Sequence, residues 1–165
     1  MSNWRTLTKA DIEANGPAFL AIAGDVEGEY WTLEHLLSDR PDKWRLSFAI
    51  WEQGQPIAYA ILSRPEPARA HLHHMMVRKE YRGRGIGSNM VREAQERAIE
   101  ADCTSLSLKT WADRQPLLDF YARFGFQHES VTPNGYAVLV KALGPSGRID
   151  NLEPARMLEG KRGAL

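Results

Sequence analysis

Two clusters in this chain of 165 residues combine residue types and spacings that could do chemistry. The first is the run Arg78-Lys79-Glu80-Tyr81-Arg82-Gly83-Arg84-Gly85-Ile86-Gly87-Ser88. Its three glycines at alternate positions let successive backbone N–H groups turn toward one point with no Cβ in the way. If a helix follows, the unbonded N–H groups and partial positive charge of its N-terminus add to the turn, and together they suit a phosphate-like anion. From Arg78 to Arg84, four basic residues against one acidic residue leave a local charge of +3. The second cluster lies just upstream, in Ala70-His71-Leu72-His73-His74-Met75-Met76-Val77. In a strand, alternate residues share a face, so His71, His73, Met75 and Val77 lie on one side and Leu72, His74 and Met76 on the other. Imidazole titrates near neutral pH, which makes a histidine pair on one face a candidate for accepting a proton from a substrate.

Other chemistries that use such residues fit less well. A Rossmann fingerprint requires G-x-G-x-x-G, and counting from Gly83 the last position is Ser88. A Walker A loop requires Gly-Lys followed by Ser or Thr, which this turn lacks. The three strand histidines with His128 or Asp113 could be read as zinc ligands, but the chain has no closed Cys/His set, and no metal is expected. Cys103 falls in a turn after a helix with no histidine beside it in sequence, a poor setting for an acyl-carrying nucleophile.

The elements that would position these clusters follow from periodicity and punctuation. Ile12, Phe19, Leu20 and Ile22, with Thr8 as N-cap, predict a helix over 9–23 that Gly16-Pro17 interrupts. A short helix over 32–37 must end before Pro41. The runs 45–51 and 56–62 read as a hairpin around Gln53-Gly54-Gln55, and Arg64-Pro65-Glu66-Pro67 breaks the chain. Then come a strand over 70–77, a helix over 88–100, a strand over 104–110, a helix over 115–124 stopped by Gly125, and a strand over 135–143. A hairpin followed by alternating strands and helices predicts an α/β or α+β domain, a mixed sheet with helices on its faces. The expected domain covers residues 1–143. The tail 144–165 has two prolines, four glycines and no periodicity, and could pack against a second copy in a homodimer.

The run from Met75 to Gly87 resembles the acyl-CoA signature of the GNAT superfamily of N-acetyltransferases, whose core is Arg/Gln-x-x-Gly-x-Gly/Ala. Arg82, Gly85 and Gly87 fill its three places. Downstream, Asp119-Phe120-Tyr121-Ala122-Arg123-Phe124-Gly125-Phe126 resembles the family's second signature, a helix ending in FYxRxGF. The match is tight over 71–126, looser over 4–143, and absent beyond 144. The resemblance implies a mostly antiparallel central sheet flanked by helices, and acetyl-CoA as cosubstrate. The main chain of Met75, Met76 and Val77 would pair with the pantetheine arm. The turn Arg82, Gly83, Arg84, Gly85, Ile86, Gly87 and Ser88 would hold the pyrophosphate. His71-Leu72-His73 is further similar to the paired-histidine strand of the arylalkylamine N-acetyltransferase branch. There the two histidines take the amine proton, and the tyrosine matching Tyr121 protonates the departing CoA thiolate. The acceptor implied is a primary amine, on a small molecule or a peptide. A binding-only acyl-CoA sensor would need the turn but neither the histidines nor the tyrosine. Substrate-binding parts of the family lie in the first helices and their loop, here about 23–40. In that stretch Glu27, Glu29, Tyr30, Trp31 and Glu34 would suit a cationic amine with an apolar body.

The whole-chain balance narrows the partners. With 21 basic and 21 acidic residues the formal charge is zero, and 43% apolar with 25% charged residues is an ordinary globular composition. A neutral chain has no field to gather nucleic acid or an anionic membrane, and neither is expected as a partner. The start MSNWRTLTKADIEA lacks the basic-then-apolar pattern of a secretory signal, and the longest apolar run, 57–62, is far short of a membrane span. The single cysteine has no internal partner, so a cytoplasmic protein is expected.

Overall fold

The computed structural model describes residues 3–26, 28 and 31–144. Their contacts fall into two compact units, the described residues up to 65 with 71–94, and 66–70 with 95–144.

The first unit is built on strands in the order β1 (Asn3–Thr6), β2 (Phe48–Glu52), β3 (Gln55–Glu66), β4 (Arg69–Val77). β1 pairs antiparallel with β2 from Asn3 opposite Trp51 to Thr6 opposite Phe48. β2 pairs antiparallel with β3 and shifts register at Ile50/Trp51. The tight turn between them is made by Gln53 (φ 53°) and Gly54 (φ 77°).

Helix α1 (Lys9–Ala23) starts in a capping box, Thr8 Oγ1 accepting from the Asp11 N–H at 3.1 Å while Asp11 accepts from the Thr8 N–H at 2.9 Å. Pro17 offers no N–H and crowds the carbonyl four residues back, so Asn15 leaves helical geometry (φ −129°, ψ 26°), with its side-chain amide donating to the Asp11 carbonyl at 2.8 Å. The expected interruption is therefore a kink within one helix. Phe19 then packs edge-on against Trp51 at 5.8 Å and Tyr59 at 5.6 Å, at the centre of a cluster that includes Leu7, Ile12, Ile22, Leu36, Ile61 and Met76. α2 (Leu33–Leu37) lies close enough to α1 that a Cβ on Gly16 would meet Leu33 Cδ1 at 3.3 Å.

Two expectations are corrected in this unit. The segment that opens the expected strand 45–51 belongs to a one-turn helix, α3 (Lys43–Leu46), and β2 begins only at Phe48. Lys43 decides this. Its side chain is fully buried, and its ammonium donates to the carbonyls of Leu36 at 2.6 Å and Ser38 at 2.5 Å at the end of α2. Second, Pro65 does not end β3, which runs to Glu66. The Arg64 N–H is taken by the Pro41 carbonyl at 2.8 Å and the Arg64 side chain pairs with Asp42 at 2.7 Å, so this stretch is fastened from outside the ladder.

In the second unit the strands run β5 (Ser105–Trp111), β7 (Tyr136–Ala142), β6 (Gln127–Val131), antiparallel throughout. Helix α4 (Ile86–Glu100) enters from the first unit. Asp102 turns into the left-handed region at φ 63°, and the Cys103 N–H returns to the Ala98 carbonyl at 2.9 Å, ending the helix and burying the thiol. Helix α5 (Gln115–Ala122) carries Pro116 in its first turn, and Gly125 at φ 90° turns the chain into β6. The class is α/β, with antiparallel strand pairs as expected.

Candidate active site

The basic run does join a strand to a helix. After β4 the chain makes one 3-10 turn, Lys79–Tyr81, then passes through Gly83 and Gly85 at φ 77° and 80° into α4. Nothing lies within 4 Å of a Cβ placed on either glycine, so backbone conformation, and not space, calls for glycine there. The Gly85 carbonyl accepts the first helical bond, from the Asn89 N–H at 3.1 Å. Among the described residues, no N–H from Gly83 to Ser88 donates to a main-chain carbonyl outside the helix. Ile86, Gly87 and Ser88 form the first turn of α4, where such groups are normally unbonded within the helix.

The turn is braced by its own charges. Arg82 Nε donates to the Val77 carbonyl at 2.8 Å, and its terminal nitrogen lies 3.5 Å from Asp25, which also accepts from the Lys79 N–H at 3.2 Å. Arg84 donates to the Glu80 carbonyl at 3.0 Å and lies over the Tyr81 ring at 5.0 Å; Arg78 covers the same ring at 5.6 Å and pairs with Glu80 at 3.2 Å. Asp25, just past the end of α1, has no sequence signal marking it as a brace for a turn more than fifty residues away.

Burial alternates along β4. Leu72, His74 and Met76 are buried, and His71, His73, Met75 and Val77 are half-buried. His71 and His73 come together, ring edge to face at 4.7 Å. His73 Nε2 is hydrogen-bonded to Ser63 Oγ of β3 at 2.7 Å. His74 belongs to the core: its Nδ1 meets the Tyr59 hydroxyl at 3.0 Å, and its ring stacks on Trp31 at 4.5 Å, nearly parallel. Of the residues suggested for acceptor binding, Trp31 is thus packed against a core histidine and Glu34 is exposed in the first turn of α2, while Glu27, Glu29 and Tyr30 lie outside the described residues.

Tyr121 is the buried residue of α5, edge-on to Phe120 at 5.0 Å and Phe126 at 5.7 Å within the second unit. Among the described residues there is no group of three His, Cys, Asp or Glu placed to hold a metal ion, and no helix is long and apolar enough to cross a membrane. An open depression of about 540 Å³ lined by Asn3, Arg5, Asn15, Trp51, Gln53 and Gly54 shares no residue with the turn or β4. Its one charge, Arg5, is paired with Asp11 at 3.3 Å and stacked on Trp51 at 4.2 Å.

Comparison with known proteins converges on one family. The sequence model of the Acetyltransferase (GNAT) family matches residues 12–126. The chain is 31% identical over 67 residues to a putative ribosomal protein bS18-alanine N-acetyltransferase of Bacillus subtilis, covering 41% of this chain and 44% of that protein. It is 30% identical over 74 residues to an uncharacterized N-acetyltransferase of Methanocaldococcus jannaschii, covering 45% of this chain and 32% of that one. The matched region thus spans less than half the length of these curated relatives. Among solved structures, Ard1 from Thermoplasma volcanium superposes with a TM-score of 0.74 at 20% identity, over 86% of this chain and 97% of that one. The PaiA N-acetyltransferase of Thermoplasma acidophilum, solved with coenzyme A, gives 0.68 at 17%, over 86% and 99%. At these identities the likeness establishes a shared fold.

Proposed function

The chain belongs to the GNAT acetyltransferase family, and on that premise we propose that it moves an acetyl group from acetyl-CoA to a primary amine by direct attack in a ternary complex. The observation that carries this reading is the basic run from Arg78 through the glycine turn to Ser88, which joins the histidine strand to a fifteen-residue helix and sets main-chain N–H groups at the start of that helix. Main-chain groups of Met75, Met76 and Val77 pair with the pantetheine arm, and the turn takes the pyrophosphate. Arg82 and Arg84 add charge at the turn while their side chains brace it. The coenzyme A in the PaiA structure supports this cosubstrate.

The nitrogen of a primary ammonium must shed two protons and the thiolate must gain one. The nitrogen loses the first to expose its lone pair and attacks the acetyl carbonyl carbon; as the C–N bond forms and the C–S bond breaks, the nitrogen gives up its second proton and the thiolate takes one. His71 and His73 serve as base and Tyr121 as acid, as in the branch whose histidine strand this one resembles. No covalent enzyme intermediate is required, which agrees with a buried Cys103. For the acceptor, the Bacillus subtilis relative named for ribosomal-protein alanine favours the amine of a protein or peptide. The test is thiol release from acetyl-CoA across a panel holding an alanine-starting peptide, a lysine peptide, a polyamine and an arylalkylamine. Release with the alanine peptide supports the full reading; acetyl-CoA binding without release for any amine makes the protein a sensor.

A further inference from the structure

Among the described residues, three serines are fully or almost fully buried: Ser47, Ser63 and Ser107. Two of them do what a buried hydroxyl ordinarily does, which is to satisfy the main chain. Ser47 Oγ donates to the Leu62 carbonyl at 3.2 Å and accepts from the Leu62 N–H at 3.0 Å, and Ser107 Oγ donates to the Ala70 carbonyl at 3.4 Å. Ser63 differs. It is only 2% exposed, yet its hydroxyl meets a titratable ring, His73 Nε2, at 2.7 Å.

We propose that Ser63 is a positioning residue for His73, holding its ring in one orientation and raising its affinity for the proton that it takes from the amine. This rests on the reading of the histidine pair as the base. A hydroxyl serves as donor or acceptor by rotating one O–H bond, so Ser63 Oγ can accept from a ring N–H. When His73 is neutral with its proton on Nε2, that N–H donates to Ser63 Oγ, and Nδ1 is the nitrogen that takes the amine's proton. When Nδ1 has gained it, Nε2–H still donates to Ser63 Oγ. Nε2 is bonded in both states, so the half-buried imidazole changes charge without orphaning that nitrogen. The bond to the charged ring is the stronger of the two, and the difference favours the protonated form. With Nε2 tied to β3, the ring is held in one orientation, its centroid 4.7 Å from that of His71.

The experiment compares the full chain with Ser63→Ala and Ser63→Thr, the second keeping the hydroxyl. The His73 ring is titrated by nitrogen-15 NMR, and kcat and kcat/KM are measured against pH for the amine that turns over best. Ser63→Ala should lower the His73 midpoint by roughly half to one pH unit and carry the acidic limb of kcat/KM down with it. It should also reduce kcat about tenfold, a part of what a general base contributes, while KM for acetyl-CoA stays put and Ser63→Thr restores the midpoint. An unmoved His73 midpoint in a folded Ser63→Ala protein overturns the proposal. If the midpoint moves but the pH–rate limb does not, the Ser63–His73 coupling is real and His73 is not the base, which condemns the histidine-base reading and with it the catalytic role of Ser63.

Discussion

At the scale of single residues, the proposed mechanism divides proton traffic between two elements, and each end can be cut separately. Tyr121→Phe removes only an oxygen from a buried ring, so packing against Phe120 and Phe126 survives. Turnover should fall about a hundredfold, within the usual worth of a general acid, with the Kd for acetyl-CoA nearly unchanged by calorimetry. An unchanged rate removes Tyr121 from the mechanism. Replacing His71 and His73 together by Gln should move the pH–rate curve upward, because the amine must then lose its proton without help; a profile identical to the parent places the base elsewhere. The histidines and Tyr121 were legible in sequence because alternation and a motif mark them. Ser63 was not, since a serine within an apolar run gives no sign of whether its hydroxyl turns to the main chain or to a ring.

At the scale of elements, the glycine turn and the buried lysine make contrasting demands. Gly85 at φ 80° has room for a Cβ but not the conformation, so Gly85→Ala costs about 1–2 kcal/mol of backbone strain. If the turn relaxes to escape it, its N–H groups lose their aim, and acetyl-CoA should bind about tenfold more weakly in calorimetry; equal affinity would put the phosphates elsewhere. Lys43 fastens α3 to the end of α2, and burial lowers its pKa from 10.5 to about 8. The folded state therefore holds this proton less firmly than the unfolded chain does. The cost of burying the charge is full below pH 8 and is relieved as pH rises toward 10.5. Wild-type stability should thus gain on that of Lys43→Met over this window, so the Tm deficit of the variant should be larger at pH 10 than at pH 7. A deficit independent of pH would contradict the buried titration.

These elements also show where sequence patterns stop being informative. The helix 9–23, the strand at 70–77 and the helix that follows it were readable because each carries a long periodic face or a cap. β1 and β6 were not read, for each is a short run of exposed residues, NWRT and QHESV, whose pairing comes from a neighbouring strand. α3 was misread because one turn of helix has no period of its own and owes its place to a lysine reaching back to α2.

At the scale of the whole molecule, the zero net charge is a sum that conceals one +3 turn. Such a molecule should hold one small polyanion and ignore long ones. Raising salt from about 0.1 to about 1 M shortens the screening length from about 10 to about 3 Å, so acetyl-CoA affinity should fall severalfold over that range. Duplex DNA should show no retardation at either salt, and affinity for acetyl-CoA that does not respond to salt would mean that the turn is not its phosphate site.

The central claim, acetyl transfer to an amine, is tested most directly by continuous measurement of thiol release from acetyl-CoA with the amine panel. Amine-dependent release, with the acetylated product confirmed by mass and the rate collapsing in Tyr121→Phe, is the predicted result. Tight acetyl-CoA binding with no amine raising thiol release above the enzyme-free rate would contradict it.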